Sequence, residues 1–271
     1  MNFRRCFLAV VALAFGTMSQ AADVQQVVFK SEALSLDKKM TVLVPDSYAA
    51  GDKKYPVVLF LHGYGGGPGG WAKHSTLAAE VDKYGIIAVC TDGTRDSWYF
   101  DSPLVESNKY ETFIFKDVVT YIDGNYRTYA KNTKRGITGL SMGGHGAMFV
   151  GLRHPEVFGT ICSMSGGLDI RPFPNNWNLK HWLGDIKEHS GNWDKYTAIN
   201  QLSPKTASKQ NFLFDCGTED FFIGVNRAMH KKMQKLKIKH IYEEYPGSHN
   251  WKYWKLAVIR HMAFFKKSFD L

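Results

Sequence analysis

Ser141 lies at the centre of a short pattern, Gly139-Leu140-Ser141-Met142-Gly143, whose residue types and spacing are typical of a nucleophilic serine. A strand is predicted before this pattern and a helix after it, so the serine is expected at a sharp turn between the two. Glycines on either side carry no side chain, which lets neighbouring backbone segments approach and leaves the hydroxyl exposed. An ordinary tight turn is the alternative, and the strand-turn-helix context favours the nucleophile.

A serine hydroxyl needs a base that accepts its proton, and a loop histidine usually supplies it. His249 lies in the loop Pro246-Gly247-Ser248-His249-Asn250-Trp251, between the last predicted strand and the closing helix. His230 falls within a predicted helix, His240 within a predicted strand and His261 deep in the terminal helix. We therefore predict His249 as the general base.

The carboxylate that orients the histidine is expected between the serine and the histidine in the chain, in the loop after a strand. Asp220 ends the segment Gly217-Thr218-Glu219-Asp220, which directly follows a predicted strand and so lies at the carboxyl edge of the sheet. Asp215 is the main rival, but it lies within that strand, and Glu219 is the third candidate. Asp220 is therefore the predicted acid.

A glycine-rich loop follows another predicted strand and could supply backbone amides to the reaction. Its sequence is His62-Gly63-Tyr64-Gly65-Gly66-Gly67-Pro68-Gly69-Gly70, and glycines allow backbone N–H groups to approach a ligand. A serine that attacks a carbonyl group needs hydrogen-bond donors for the oxyanion that develops on the substrate. We assign these donors to the N–H groups of Tyr64 and Met142. A phosphate-binding loop is the alternative, but the loop lacks the Gly-Lys-Ser/Thr ending.

Short apolar runs alternate with longer amphipathic stretches along the chain, which predicts the α/β class with a mostly parallel central sheet flanked by helices. An antiparallel pair opens the chain. From 166 to 209 the periodicity fails, which indicates an irregular insertion between nucleophile and acid. The predicted strands cover residues 24–30, 39–44, 57–61, 86–91, 134–138, 158–164, 211–216 and 239–244. The predicted helices cover 71–84, 111–126, a stretch after Ser141, 225–237 and the chain from 251 onward.

The first 21 residues have the order of a secretory signal peptide. A basic start leads into an apolar run over residues 6–15, and small residues precede a cleavage site after Ala21. A helix of the fold is the alternative. We predict a signal peptide over 1–21, one enzyme domain over 22–271, and a secreted or periplasmic protein without membrane insertion, since no other segment is apolar for long enough.

Charge and cysteine usage argue against several other function classes. Lysine and arginine outnumber the acidic residues by 34 to 25, but the lysines of 231–239 suit a solvated helix face, and no basic-aromatic motif indicates nucleic-acid binding. Cys90, Cys162 and Cys216 lie in apolar runs and predict buried free thiols rather than a disulfide framework. The histidines lack metal-ligand spacing, so no metal or other cofactor is expected.

Together these segments resemble the putative-esterase branch of the α/β hydrolases, which includes feruloyl and acetylxylan esterases, S-formylglutathione hydrolases and mycolyltransferases. The resemblance covers nearly the whole chain after residue 21. It implies an α/β-hydrolase fold, the triad Ser141, Asp220 and His249, and the same two oxyanion amides. Asn250 departs from the family, where aspartate is frequent. The matching segments are Leu61-His62-Gly63-Tyr64-Gly65-Gly66, Ser97-Trp98-Tyr99, Tyr110-Glu111-Thr112-Phe113, Gly139-Leu140-Ser141-Met142-Gly143-Gly144, Gly217-Thr218-Glu219-Asp220 and Gly247-Ser248-His249-Asn250-Trp251.

The resemblance implies an ester substrate, and the predicted export favours acetyl or feruloyl groups on plant polysaccharides or oligosaccharides. A thioesterase resembling S-formylglutathione hydrolase and an acyltransferase resembling the mycolyltransferases are alternatives. A non-catalytic carbohydrate-binding relative is the alternative of another class. We expect Trp98, Tyr99 and one or more of Trp177, Trp182 and Trp193, with Trp182 the first choice, to wall the substrate pocket, because aromatic faces suit a sugar ring or a hydroxycinnamoyl group.

Overall fold

The computed structural model describes residues 22–270, so the signal peptide predicted over 1–21 lies outside the described residues. Its strands, in chain order, are β1 (Asp23–Ser31), β2 (Leu36–Val44), β3 (Val57–Leu61), β4 (Ile87–Thr91), β5 (Arg135–Gly139), β6 (Thr160–Met164), β7 (Asn211–Gly217) and β8 (Ile241–Tyr245). They form one sheet in the order β1-β2-β4-β3-β5-β6-β7-β8. β1 pairs antiparallel with β2 and β2 with β4, and the other neighbouring strands are parallel. The predicted α/β-hydrolase fold, with its opening antiparallel pair, is confirmed.

Helices connect the strands and cover both faces of the sheet. They are α1 (Gly70–His74), α2 (Leu77–Tyr84), α3 (Tyr110–Thr112), α4 (Val119–Asn125), α5 (Met142–Arg153), α6 (Leu179–Leu183), α7 (Ser190–Tyr196), α8 (Pro204–Ala207), α9 (Ile223–Lys235) and α10 (Trp251–Ser268). A π-helical segment, Phe113–Val118, joins α3 to α4. Across residues 22–270, none of the helices combines the length and apolarity that crossing a bilayer requires.

Alternate residues of β3 enter two different hydrophobic cores, because successive side chains of a strand point to opposite faces. Val57, Leu59 and Leu61 pack in the core that contains α5 and the insertion. Val58 and Phe60 pack in the core that contains α1, α2 and α10. All five residues are buried, which explains why this strand is a continuous apolar run in the sequence.

Ser75 divides a segment for which the sequence predicts one helix over 71–84. Its backbone is extended (φ −135°, ψ 177°) between α1 and α2. The Ser75 hydroxyl donates to the Trp71 carbonyl at 2.6 Å and accepts from the Leu77 N–H at 3.3 Å. This side chain therefore replaces helical backbone hydrogen bonds at the break. His240 requires a second correction, since it precedes β8 instead of lying within a strand.

The segment 166–209 packs onto the sheet instead of forming a separate unit. It contains the short helices α6, α7 and α8, and its buried residues Leu179, Leu183 and Trp193 belong to the same core as α5. Within the described residues, Cys90, Cys162 and Cys216 lie in β4, β6 and β7 and are buried and free, which confirms the prediction of buried thiols.

His145 joins α5 to two other parts of the chain. The imidazole is fully buried, with Nδ1 3.1 Å from the Trp98 carbonyl oxygen and Nε2 3.0 Å from that of Tyr196. It also stacks on Phe149 with 5.5 Å between ring centroids. Burial lowers the pKa of His145 to about 4, because desolvation penalises the imidazolium more than the carbonyl contacts stabilise it.

This burial predicts an acid-sensitive contribution to stability. Since the folded-state pKa lies below the value of about 6.5 in an unfolded chain, the unfolded chain takes up a proton first as the pH falls. Neutral His145 therefore contributes fully to the free energy of unfolding above about pH 6.5. As the pH falls towards 4, this free energy decreases by up to about 3 kcal/mol. In His145→Gln the free energy of unfolding should depend less on pH across this window, as measured by urea unfolding.

His181→Gln is the matched control, because this exposed ring on α6 stays solvated in the folded and unfolded chains. It should keep the pH dependence of the wild type. Parallel stability curves for the wild type and His145→Gln between pH 4.5 and 7 would contradict the expected role of His145.

Candidate active site

Ser141 occupies a sharp turn between β5 and α5. Its backbone has φ 58° and ψ −118°, a conformation that costs energy for a residue with a side chain. Close contacts with neighbouring backbone explain the two outer glycines of the pattern Gly139-Leu140-Ser141-Met142-Gly143. A Cβ atom on Gly139 would lie 2.4 Å from the Gly143 backbone, and one on Gly143 would lie 2.3 Å from the Leu61 carbonyl oxygen. Only glycine fits at either position, so the turn can pack against the end of β3.

A continuous hydrogen-bonded chain links Ser141 to Asp220. Nε2 of His249 is 2.8 Å from Ser141 Oγ, and Nδ1 of His249 is 2.8 Å from Asp220 Oδ2. The Asp220 side chain is fully buried, whereas His249 keeps 15% of its side-chain surface exposed. With Nδ1–H donating to the carboxylate, Nε2 is free to accept the seryl proton. The structure thus brings together the three residues that the sequence predicts for the triad.

The two other acid candidates lie elsewhere. Asp215 faces α10, where its Oδ2 is 3.0 Å from Nη2 of Arg260 and 3.3 Å from Nε2 of His261. Glu219 is exposed and accepts a hydrogen bond from Ser248 Oγ at 3.4 Å. Within the described chain, neither carboxylate forms a hydrogen bond or an ion pair with His249.

Backbone contacts between two loops bring the acid and the histidine together. The Glu219 N–H donates to the Gly247 carbonyl at 3.0 Å. Gly217 is forced to be glycine, since a Cβ atom there would lie 2.1 Å from the Gly247 carbonyl oxygen. The distance from Asp220 to His249 is therefore set by the backbone and not by the side chains alone.

Asn250 caps the helix that follows His249. Its Oδ1 accepts from the N–H groups of Lys252 at 3.0 Å and Tyr253 at 3.3 Å, at the start of α10. Asparagine and aspartate are comparable N-cap residues because each offers a side-chain oxygen. The presence of Asn250 where the family often has aspartate is thus explained by a capping role that either residue can fill.

The two amides assigned to the oxyanion lie on either side of the serine turn. Gly63 approaches the turn so closely that a Cβ atom would lie 2.7 Å from Leu140 Cδ1 and 3.2 Å from Ser141 Cβ. Tyr64 follows it, and Met142 is the first residue of α5. Within residues 22–270, neither the Tyr64 N–H nor the Met142 N–H has a backbone acceptor. Both donors are therefore available to a bound ligand.

A cavity of about 610 Å³ opens over Ser141 and His249. The glycine-rich loop forms one side, and Lys73 and His74 of α1 lie at its edge. The remaining wall is aromatic. Phe221 lies 4.3 Å and Trp254 4.9 Å from the His249 ring, measured between centroids. The aromatic side chains that line the cavity are Tyr64, Trp71, Trp177, Phe221, Trp251 and Trp254.

This wall differs from the expected one, because Trp98 and Tyr99 are buried beneath it. Trp98 Nε1 donates to the Trp177 carbonyl at 3.2 Å. The Tyr99 ring fills the space above Gly146, where an added Cβ atom would lie 2.5 Å from it. Consecutive positive φ values of 52° and 58° accompany this inward placement of Trp98 and Tyr99.

Trp182 and Trp193 also lie outside the cavity wall. The Trp182 carbonyl accepts from Ser102 Oγ at 2.7 Å, and the buried Trp193 donates through Nε1 to the Gly184 carbonyl at 3.0 Å. Of the expected tryptophans, Trp177 alone lines the described cavity. Phe221 was missed, although its position directly after Asp220 in the sequence is a signal that could have identified it.

Comparisons with known proteins agree with this geometry. The family model described as "Putative esterase" matches residues 31–265. An esterase of Mycobacterium tuberculosis is 27% identical over 251 residues, which cover 82% of this chain and 54% of that protein. This chain thus spans about half the length of that relative. An acetyl esterase of Caldicellulosiruptor saccharolyticus is 24% identical over 268 residues, covering 91% of this chain and 99% of that one.

A solved ferulic acid esterase is similar over the whole fold. It aligns with a TM-score of 0.80 and 26% identity, covering 92% of this chain and 99% of the other. The family match includes the serine turn, the acid loop and the histidine loop, since it extends from β1 into α10. The chain therefore belongs to the putative esterase family of the α/β hydrolases.

Proposed function

We propose that this protein is a serine carboxylesterase that acts through an acyl-enzyme intermediate. The single observation that carries the proposal is the hydrogen-bonded chain from Ser141 through His249 to Asp220, with both contacts at 2.8 Å. Ser141 and His249 line a cavity that is large enough for a small ester. Nucleophilic catalysis by a serine needs no metal or other cofactor.

The proposed reaction has two steps. His249 Nε2 takes the proton of Ser141 as Oγ attacks the ester carbonyl carbon, and the carbonyl oxygen becomes an oxyanion that the Tyr64 and Met142 N–H groups bind. The same histidine then protonates the departing alcohol, leaving an acyl-serine. Water, deprotonated by His249, attacks this acyl group, and the seryl oxygen leaves with the proton. Buried Asp220 stabilises the imidazolium that forms twice in this cycle.

The triad is tested by replacing its nucleophile and its acid in turn. Ser141→Ala should lower kcat for p-nitrophenyl acetate by several orders of magnitude, because no nucleophile remains. Asp220→Asn should lower it by about 10³- to 10⁴-fold, because the amide no longer favours the histidine tautomer that accepts the seryl proton. Steady-state kinetics of the purified variants would measure both effects.

Glu219→Gln is the matched control for the acid, since it removes a carboxylate next to Asp220 that is exposed and does not contact His249. It should keep nearly all of the activity. Near wild-type turnover in Ser141→Ala would refute the proposed mechanism, and a large loss in Glu219→Gln with none in Asp220→Asn would move the acid role to Glu219.

We propose acetyl or feruloyl groups on plant polysaccharides or oligosaccharides as the acyl substrates. The aromatic wall supports this, because flat apolar faces suit both a hydroxycinnamoyl ring and a sugar ring. The Phe221 and Trp177 rings are stacked at 5.8 Å with 23° between their planes. Phe221 is 54% exposed, so it offers an uncovered aromatic face next to His249. The similarity to an acetyl esterase and to a ferulic acid esterase also supports these acyl groups.

Substitution of Phe221 tests the role of this aromatic wall. Phe221→Ala should raise KM for methyl ferulate by about 3- to 10-fold, as loss of an aromatic contact does. KM for p-nitrophenyl acetate should change less than about twofold, because an acetyl group is too small to stack there. Leu36→Ala is the matched control, since it removes a similarly exposed apolar side chain (59%) from the start of β2.

Equal losses on both substrates in Phe221→Ala would show that Phe221 supports His249 and does not bind the acyl group. A panel of acetylated xylan, methyl ferulate, a feruloylated oligosaccharide and S-formylglutathione would identify the acyl and alcohol groups. Preferred hydrolysis of S-formylglutathione would overturn the carbohydrate-ester assignment.

We also propose that the protein is exported. The basic and apolar start of the chain, followed by small residues up to Ala21, supports this. We expect protein from the native host to begin at or near Ala22 and to be found in the periplasm or the medium. Amino-terminal sequencing of the protein isolated from each cell fraction and from the medium checks this. Unprocessed chains recovered from the cytoplasm would reject it.

A further inference from the structure

The peptide group between Gly63 and Tyr64 is held through its carbonyl oxygen, which has two polar contacts. The Gly63 carbonyl oxygen accepts from the Gly66 N–H at 3.0 Å and lies 2.8 Å from Nδ1 of His62. A trans peptide directs its carbonyl and its N–H in opposite directions, and the described chain has no cis peptide. Fixing the carbonyl of Gly63 therefore fixes the direction of the Tyr64 N–H, which has no acceptor among the described backbone groups.

The hydrogen bonds of His62 determine which of its ring nitrogens carries the proton. The Gly93 N–H donates to Nε2 at 2.8 Å, so Nε2 must have a free lone pair. Asp92 Oδ1 is 3.9 Å from the same atom, too far for a hydrogen bond. A neutral ring that accepts at Nε2 carries its proton on Nδ1. Nδ1–H consequently donates to the Gly63 carbonyl.

The surroundings of His62 prevent its ring from moving. The residue is 3% exposed. Its own carbonyl accepts from the Tyr99 hydroxyl at 3.0 Å, and the Tyr99 ring lies edge-on at 6.0 Å from the imidazole. An added Cβ atom on Gly93 would lie 2.3 Å from the Tyr99 hydroxyl oxygen. The loop after β4 is thus packed against the loop after β3, with His62 between them.

We propose that His62 is a positioning residue of the oxyanion site: its Nδ1–H fixes the Gly63–Tyr64 peptide so that the Tyr64 N–H faces the reacting carbonyl. This role rests on the proposed esterase function. The Tyr64 N–H then acts mainly in the transition state, where negative charge develops on the substrate oxygen. Loss of the His62 donor should therefore lower kcat more than it raises KM.

Two substitutions separate the two hydrogen bonds of His62. In His62→Asn the side-chain amide lies close to the position of Nδ1, so it keeps a donor for the Gly63 carbonyl but loses the acceptor for Gly93. In His62→Gln the amide reaches further, so its oxygen can accept from the Gly93 N–H but no donor faces Gly63. Each variant loses one buried hydrogen bond, which should make their losses of stability similar.

We expect kcat of His62→Gln for p-nitrophenyl acetate to fall by about 10- to 100-fold, less than the full loss of an oxyanion donor. KM should change less than about twofold, and His62→Asn should retain most of the wild-type kcat. An aryl trifluoromethyl ketone, which forms an oxyanion on addition of Ser141, gives an independent measurement. Its inhibition constant should rise in His62→Gln by the same factor as kcat/KM falls.

Thermal unfolding of both variants is measured alongside the kinetics. Equal kcat losses in His62→Asn and His62→Gln would overturn the proposal, as would an unchanged kcat in His62→Gln or a loss confined to KM. A fall in kcat without any change in the ketone inhibition constant would also overturn it. These outcomes differ from failure of the esterase function itself, in which the wild type would hydrolyse esters no faster than Ser141→Ala.

Discussion

Close approach of backbone segments beneath Ser141 is the constraint on which the rest of the site depends. The end of β3, the end of β5 and the first turn of α5 meet with no side chain between them, because a Cβ atom on Gly139 or Gly143 would lie within about 2.5 Å of a backbone atom. This packing forces the serine into a strained backbone conformation, φ 58° and ψ −118°. Burial of β3 and β5 on both faces supplies the packing energy that offsets the strain.

The same closeness is required by the oxyanion site that we propose. Gly63 can lie against Ser141 only because it has no side chain, and it is followed directly by Tyr64, whose N–H we propose as an oxyanion donor. On the other side of the serine, the acid loop and the histidine loop are joined through Gly217 and Gly247 in the same manner. Glycines therefore set the distances of this site, and the functional side chains take positions that the backbone has already fixed.

Burial gives the two sides of the histidine different environments. Asp220 is fully buried and bonded through Oδ1 to the Phe222 N–H at 2.8 Å, so it cannot turn away from His249. The opposite side of the ring faces Ser141 and the cavity. Asn250 helps to fix the histidine loop because it caps α10 directly after His249. The imidazole is thus oriented by neighbours from three parts of the chain: the loop after β7, the loop after β8 and α10.

The sequence alone determined the fold class, the serine turn and the places of the histidine and the acid, because each depends on a local pattern. Alternation of apolar runs predicts the parallel sheet, and a parallel sheet brings the loops after β5, β7 and β8 to one edge. Element boundaries were less accurate: Ser75 splits a predicted helix through a side-chain hydrogen bond that helical periodicity does not reveal.

Only the tertiary structure decided which aromatic residues face the cavity and what Asn250 does. Trp98 and Tyr99 resemble pocket residues in the sequence, yet both are buried. The Tyr99 ring has room because Gly146, 47 positions later in the chain, has no side chain. Trp251 and Trp254 line the cavity because α10 packs beside α1, which lies far away in the chain. The exposure of a side chain depends on contacts between segments distant in sequence, and a local pattern contains no information about such contacts.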